Sequence, residues 1–461
     1  MRLKLPVIAT LAATLSLIPA TGCDFVIPDL NNPGIDQLED NPTRVTVGAA
    51  CTGLLIGSRR NHAQANGYVA QLGILGREAY NFDQADPRFI GELLEGPLQS
   101  GSPFGGNFWG APYANIRLAN IVESVADQVP DYSPAEVSAV LGFAKTIEAT
   151  DLLEVVVTHD TNGGVIDTDR PVDGPLGAIV GRDQMLAEIA RMLDEGAMDL
   201  GRGGDEFPFG LSSGYAGFDT PPDFAKFNRA MRARVAAYQK DYPAVLTALT
   251  PSFIKDSNGA GPPTVADFEI GVYHAYSTSS GDQVNNLINP NIYAHPSFVA
   301  DAQLNGANRD ERVARKTTTA EPGSAKGLSS TIKYTLYTRP DSPLPIIRNE
   351  ELLLLRAEAK FFTGDVAGAL ADLNLVRTLS GSLIAITGTP SETMFVIALL
   401  YERRYSLAFE GHRWIDVRRF DRIMDLPLDK NPGHVRNIRY PIPRAECDAR
   451  PGESACMLGS M

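Results

Sequence analysis

Over much of the chain, apolar residues recur three and four positions apart, the spacing that builds one face of an α-helix. A first helix is predicted to begin near Asn41-Pro42. A second covers Phe104 to Gln128, after the Gly-rich stretch Gly101–Gly106, with Trp109, Tyr113, Ile116, Asn120 and Val122 at roughly helical spacing. Ser133-Pro134-Ala135-Glu136 opens the next. Its Ser oxygen can accept a backbone N–H, its Glu can reach back, and Pro suits the first helical position. The apolar pattern then runs to about Val157. Arg182 to Leu200 and Asp223 to Tyr238 are further amphipathic segments. A Gly/Ser/Pro-rich interval from about Ser252 to Gly281 predicts long loops, the kind of segment that carries binding sites on a helical scaffold. Strand signals are few, and Thr331 to Thr338 is the best of them.

Two helices then form a tight hairpin. The first covers Asn349 to Phe362, with Leu352, Leu355, Ala359 and Phe362 on one face. Gly364 can end it and Asp365 can cap the second, Val366 to Leu379. A helix–turn–helix of this length resembles one tetratricopeptide unit, and Phe224 to Leu249, with Asp241-Tyr242-Pro243 at its turn, is a candidate second unit. Thr389-Pro390-Ser391-Glu392 reads as another capping box, opening a helix to about Glu410. Gly411 would end it, and Trp414 to Met424 reads as a short charged helix.

The first residues carry an export pattern: Arg2 and Lys4, an apolar run from Leu5 to about Leu17, then Ala20-Thr21-Gly22-Cys23. The run is too short for a spanning helix and fits a signal peptide over residues 1–22. Small residues before a Cys resemble a bacterial lipobox, in which Cys23 carries the lipid of the mature chain and anchors it without spanning the membrane. Residues 23–461 then form one domain. Cys51, in a small apolar context, is expected to be buried. Cys447 and Cys456 flank Pro451-Gly452, and in an exported protein they could close a terminal loop as a disulfide or stay free.

A net charge of −14 without a Lys/Arg block excludes a nucleic-acid binder, because phosphate recognition runs on clustered positive charge. The six His residues are scattered and no CxxC is present, so no zinc site or other cofactor is expected. No nucleophile elbow, H-E-x-x-H, P-loop or dinucleotide fingerprint points to an enzyme.

The densest signal is the run from Glu402 to Phe420, with five Arg against three acids on two consecutive helices. Phe395, Leu399, Glu402, Ser406 and Phe409 share a helical face, which sets Glu402 among core residues. A carboxylate there needs an Arg partner, and Arg413 or Arg418 could return to supply it. Glu402, Arg403, Glu410, Gly411, Arg413, Asp416 and Arg418 are therefore read as a structural ion-pair network.

This run closely resembles the C-terminal signature of the SusD/RagB family, outer-membrane lipoproteins that work with TonB-dependent transporters. Arg348 through Gly381 resembles the hairpin before it, within a C-terminal signature region of about residues 300–461. Trp109 through Asn120 resembles an N-terminal Trp/Tyr/Asn helix of the family, Asp310-Glu311-Arg312 a D-x-R element, and Tyr440-Pro441-Ile442-Pro443 a closing P-I-P motif. The chain departs from the family at Glu148-Ala149, where Arg-Ala is common, and at Thr158 through Gly164, in place of a G-D-x-P-like turn.

The resemblance implies an all-α fold on tetratricopeptide-like helix pairs, with long loops and little β structure. It implies a surface-exposed, lipid-anchored outer-membrane protein that binds a glycan or peptide and delivers it to a transporter barrel, without cofactor or catalysis. The other reading of such helix pairs is an envelope scaffold that binds proteins and no nutrient. Ligand contacts lie outside the motifs. Tyr80, Phe82, Tyr273, Tyr276 and Tyr293 are nominated from loop-like contexts, because aromatic faces stack on sugar C–H faces.

Overall fold

Side-chain caps set most helix starts in the computed structural model, which describes residues 35–459 apart from 172, 258, 260 and 431. The signal sequence and Cys23 lie outside the described residues. Eleven helices of seven residues or more are described: α1 (Arg44–Ser58), α2 (Tyr68–Leu75), α3 (Pro103–Val125), α4 (Pro134–His159), α5 (Arg182–Leu200), α6 (Pro221–Gln239), α7 (Tyr242–Leu249), α8 (Asn349–Phe362), α9 (Val366–Gly381), α10 (Glu392–Ser406) and α11 (Arg413–Arg419). The Ser133–Glu136 box opens α4 with both reciprocal bonds in place. The first expected helix begins three residues late, because Thr43 and Thr46 cap one another. In α10 the cap is Ser391, whose side chain accepts from Met394 N–H, rather than Thr389. That helix ends at Ser406, four residues before the expected Glu410, and the chain turns through residues 407–411, where Phe409 and Gly411 take positive φ. The last charged helix stops at Arg419 and is followed by a single turn at Ile423–Asp425.

Successive helices are packed neighbours from α3 to α9: α3 on α4, α4 on α5, α5 on α6, α6 on α7, α7 on α8 and α8 on α9. The pairs α6/α7 and α8/α9 are the two tetratricopeptide-like units read from the sequence, and α10 closes over α8 and α9. Burial drives this stacking. Phe143, Phe224, Phe227, Leu352 and Leu355 lie in one continuous core, while Leu353, Leu354, Phe395 and Leu399 fill a second between α8, α9 and α10. Each such side chain contributes on the order of 2 kcal/mol when taken out of water. Cys51 is buried in α1, as expected, and burial pushes its thiol up.

Strands are short and paired two by two. The expected strand at Thr331–Thr338 is found at Leu328–Tyr334, hairpinned with Thr317–Ala325 through Lys326 and Gly327, both at positive φ. Two other pairings are long-range: Ala79–Asn81 with Ile292–Ala294, and Gly271–His274 with Leu344–Arg348. The second of these falls partly inside the interval read as loops, which also holds a short helix at Val265–Phe268. The first ladder ties the N-terminal segment to the middle of the chain, and the second ties Gly271–His274 to the strand that leads into α8.

Candidate functional site

Of the signature residues, Glu402, Arg403, Glu410 and Asp416 join a buried ion-pair network, while Arg413 and Arg418 make no ion pair among the described residues. Glu402 is fully buried in α10, with Arg312 Nη1 2.7 Å from its Oε2 and Arg377 Nη1 2.7 Å from its Oε1. Arg312 also grips Asp310 through Nε and Nη2, at 2.9 and 2.6 Å, so the D-x-R element is the mate of Glu402. Arg413 and Arg418, the partners expected from sequence, do not reach Glu402. Arg418 instead donates to the carbonyl oxygens of Ile438 and Val157. The physical reason is the early end of α10: the turn at residues 407–411 carries α11 away from the face that bears Glu402.

Around this pair several other charges are matched. Arg348 lies 2.5 Å from Glu350 and 2.9 Å from Glu410. Arg403 lies 2.7 Å from Asp416, whose other oxygen takes Arg419 at 3.0 Å. Arg419 also reaches Glu358 at 2.5 Å. Burial alone would raise the Glu350 carboxyl, but Arg348 and Lys316 override it and hold it near about 2. Arg234 does the same for Glu351, with His412 adding to it, again to about 2. Breaking one member of such a pair leaves a buried charge uncompensated. The geometry is that of a clamp between α8, α10, α11 and the Glu311–Lys316 segment.

Three nominated ligand aromatics are corrected by their burial. Tyr80, Phe82 and Tyr276 are 3%, 5% and 5% exposed. Tyr80 and Phe82 pack against each other, ring centroids 5.2 Å apart, beside the Ile292–Ala294 strand. Their loop-like sequence context hid a ladder with residues two hundred positions away. Tyr273 and Tyr293 are half-buried, and both hydroxyls donate to backbone carbonyls, at Glu269 and Glu321. Tyr293 also carries Lys333 Nζ 4.6 Å over its ring.

A groove that sequence reasoning missed lies over α3. It encloses about 370 Å³ and is lined by Trp109, Tyr113 and Arg117 of that helix, by the 165–177 loop, and by Glu446 and Arg450. The aromatic pair sits with centroids 5.0 Å apart. Trp109 Nε1 donates to Glu446 Oε2 at 3.2 Å, and Arg450 holds the other oxygen at 2.6 Å. Tyr113 holds the loop by donating to Val165 O at 3.0 Å. The C-terminal wall is tied by a disulfide between Cys447 and Cys456, Cα atoms 5.7 Å apart. Leu176 stands exposed on the rim, and Arg117 makes no ion pair among the described residues. An apolar, aromatic-edged concavity with a few charged donors and acceptors is suited to a small polar ligand. The turn-rich run Pro171, Gly174, Pro175 and Gly177 is a local signal for its loop, but its partners lie about sixty residues before it and nearly three hundred after it.

Among the described residues no group of His, Cys, Asp and Glu could hold a metal ion, and no helix is long and apolar enough to cross a membrane. The stack of helix pairs and the buried clamp define a helical-repeat scaffold. Residues 272–452 match the model of the SusD family. A SusD superfamily protein from Bacteroides vulgatus is similar at TM-score 0.67 and 14% identity, over 90% of this chain and 98% of its own. A SusD-like carbohydrate binding protein from Bacteroides fragilis is similar at 0.69 and 15%, over 89% and 99%. Surface glycan-binding protein A from Bacteroides thetaiotaomicron, solved with laminarihexaose, is similar at 0.63 and 15%, over 91% and 99%. No curated protein matches the chain. The C-terminal region thus resembles the SusD family, and the chain carries the fold of the SusD-like structures along nearly its whole length.

Proposed function

We propose that this protein is a lipid-anchored outer-membrane receptor that binds a glycan and passes it to a TonB-dependent transporter barrel. The family match over residues 272–452 is the observation that carries the reading. Similar structures of carbohydrate-binding proteins, among them a laminarin binding SusD-like protein and the laminarihexaose complex, favour a glycan over a peptide. The lipobox at Cys23 supplies the anchor. The groove over α3 offers what an oligosaccharide needs: an aromatic edge for sugar C–H faces, and Arg117, Glu446 and Arg450 for its hydroxyls. The protein acts by binding, and the oligosaccharide leaves intact.

Two measurements on the native protein test this. Affinity capture from host membranes in mild detergent is expected to recover a stoichiometric TonB-dependent barrel. Recovery of other envelope proteins alone would favour an assembly scaffold, the alternative that tetratricopeptide-like pairs allow. Calorimetric titration with laminari-oligosaccharides and other glycans is expected to find a ligand whose affinity falls at least about fivefold in R117A and L176D, the loss that goes with one charge-assisted bond or one buried apolar contact. Unchanged affinity in both variants would move the glycan away from this groove.

A further inference from the structure

A cleft between helices gathers ionisable side chains that the sequence scatters. It lies where α2, α4 and α6 meet the ladder of Gly271–His274 with Leu344–Arg348, and it holds about 60 Å³. Three of the chain's six His residues, His62, His274 and His412, line it together with Glu154, Arg234 and Glu410. Two of these charges are already matched. Arg234 is held by Glu351 through two bonds, at 2.8 and 2.5 Å, and Glu410 by Arg348 at 2.9 Å. Glu154 is the carboxyl left over. It is 8% exposed, and its Oε1 has no hydrogen-bond partner among the described residues. Its Oε2 lies 3.4 Å from His62 Nε2, and no Arg or Lys pairs with it among the described residues.

His62 brings no lasting positive charge. Burial pushes His62 and His412 down to about 4, and it pushes His274 well below the ordinary imidazole value. At neutral pH each ring is neutral and offers one acceptor nitrogen. Burial, and then Asp151 one turn earlier on α4, push the Glu154 carboxyl well above the usual carboxylate range. Asp151 is itself raised to about 7 by burial and takes a bond from Asn115 at 2.6 Å. Glu154 therefore keeps its proton in the empty cleft, for want of a cation. A cation that enters can take the place of that proton, because an opposite charge at close range favours the ionised form.

We infer that this cleft binds a protonated primary amine, its ammonium group against Glu154 and His62 and its carbon stem against Leu153, Val157 and Met231. An ammonium has three N–H donors, and Glu154 Oε1 and the imidazole nitrogens are acceptors without enough donors. Tyr68 also lines the cleft, and an aromatic ring attracts a desolvated cation. A metal ion is the poorer fit. The His62 and His274 rings pack on one another, centroids 4.6 Å apart, and no group of His, Cys, Asp and Glu among the described residues could hold one. A water takes about 10–15 Å³ of such space, so the cleft has room for only a few non-hydrogen atoms of the ligand. That fits a small free amine or the amine end of a larger solute. The site is separate from the groove over α3 and does not rest on a glycan binding there.

The test is calorimetry on the full mature chain with methylammonium, ethylammonium and glucosamine, beside the neutral methanol, ethanol and N-acetylglucosamine. The amines are expected to bind and the neutral compounds are not. Binding is expected to release close to one proton, read from how the heat varies with the ionisation enthalpy of the buffer. Affinity is expected to rise from pH 5 to pH 7, by up to about tenfold per unit, because the proton and the amine compete for Glu154. E154Q is expected to weaken binding at least about tenfold, the loss of a buried charge pair, and to end the proton release. E154D keeps a carboxyl and is expected to keep the release with weaker binding, so the result does not hang on one variant. Glucosamine above ethylammonium assigns the cleft to an amino sugar, and the reverse order to a small free amine. Methanol binding as tightly as methylammonium, no binding by any of the three amines, or unchanged affinity and proton release in E154Q would overturn the site and leave water as its occupant.

Discussion

At Glu402, a carboxylate in a dry core is held by Arg312 and Arg377, both about 2.7 Å away. Replacing it by Gln leaves Arg377 without an anion and Arg312 with Asp310 alone, and E402Q is expected to cost about 3–5 kcal/mol, the range for breaking a buried pair. Denaturant titration checks this, and a loss under about 1 kcal/mol would mean that the clamp is ornamental to stability. Glu78 is the opposite case. Burial, only partly offset by nearby Arg413, pushes its carboxyl up to about 8. A raised carboxyl contributes stability that is full below its unfolded value of about 4.5 and is lost as pH rises toward about 8. E78Q removes that dependence. The melting temperature of the wild type should therefore fall relative to E78Q between pH 5 and pH 8, and parallel curves would contradict it. The sequence placed Glu402 in the core through its helical company with Phe395, Leu399 and Ser406. It named the wrong arginines, because partner choice depends on where α10 stops, and the stop at Ser406 comes from the turn into Phe409 and Gly411 rather than from any residue in the helix.

Among the elements, the helices were legible because their caps and apolar faces are local. The hairpin of α8 and α9 begins where the spacing placed it, with Asp365 accepting from Gly368 N–H. Gly364 and Gly411 both follow helices at positive φ, 94° and 87°, yet their surroundings differ. A Cβ at Gly364 meets open space, whereas one at Gly411 would lie 2.5 Å from Tyr68 Cε1. G364A is expected to cost about 1 kcal/mol from the left-handed backbone alone. G411A carries the same strain plus a clash against a ring packed in the core, about 2–4 kcal/mol in all. Equal losses in the two variants would show that α2 yields easily at Tyr68. The strands were hard to read because each is only a few residues long and finds its partner far along the chain, as Tyr80 does with Tyr293. That pairing turned Tyr80 and Phe82 from loop aromatics into core.

For the whole molecule, the C-terminal segment is the piece that joins distant parts. Arg450 reaches Gly177 O across the groove, Tyr440 OH donates to Gln71, and Trp109 meets Glu446. The Cys447–Cys456 bridge closes a short loop there, worth about 2–3 kcal/mol to that segment on loop-entropy grounds. The double Ser variant is expected to loosen the groove wall and weaken ligand binding while the main thermal transition, set by the helical core, moves little. A collapse of that transition would place the segment within the folding unit. The anchor belongs to this scale as well. C23A expressed in the native host is expected to shift the protein from the membrane to the soluble envelope fraction, with its fold unchanged. Retention on the membrane would mean that another surface of the protein holds it there.

The sequence by itself determined the helices and their pairing into repeat-like hairpins, because each rests on residues within a few turns of one another. It also marked the run from Glu402 to Phe420 as a charged element built into a core. Only the tertiary structure decided which arginine meets which acid and which tyrosines lie under the surface. Those outcomes depend on distances between segments hundreds of residues apart. A spacing rule carries no such information, whereas the packing of α3, α4 and α11 against the C-terminal segment fixes it.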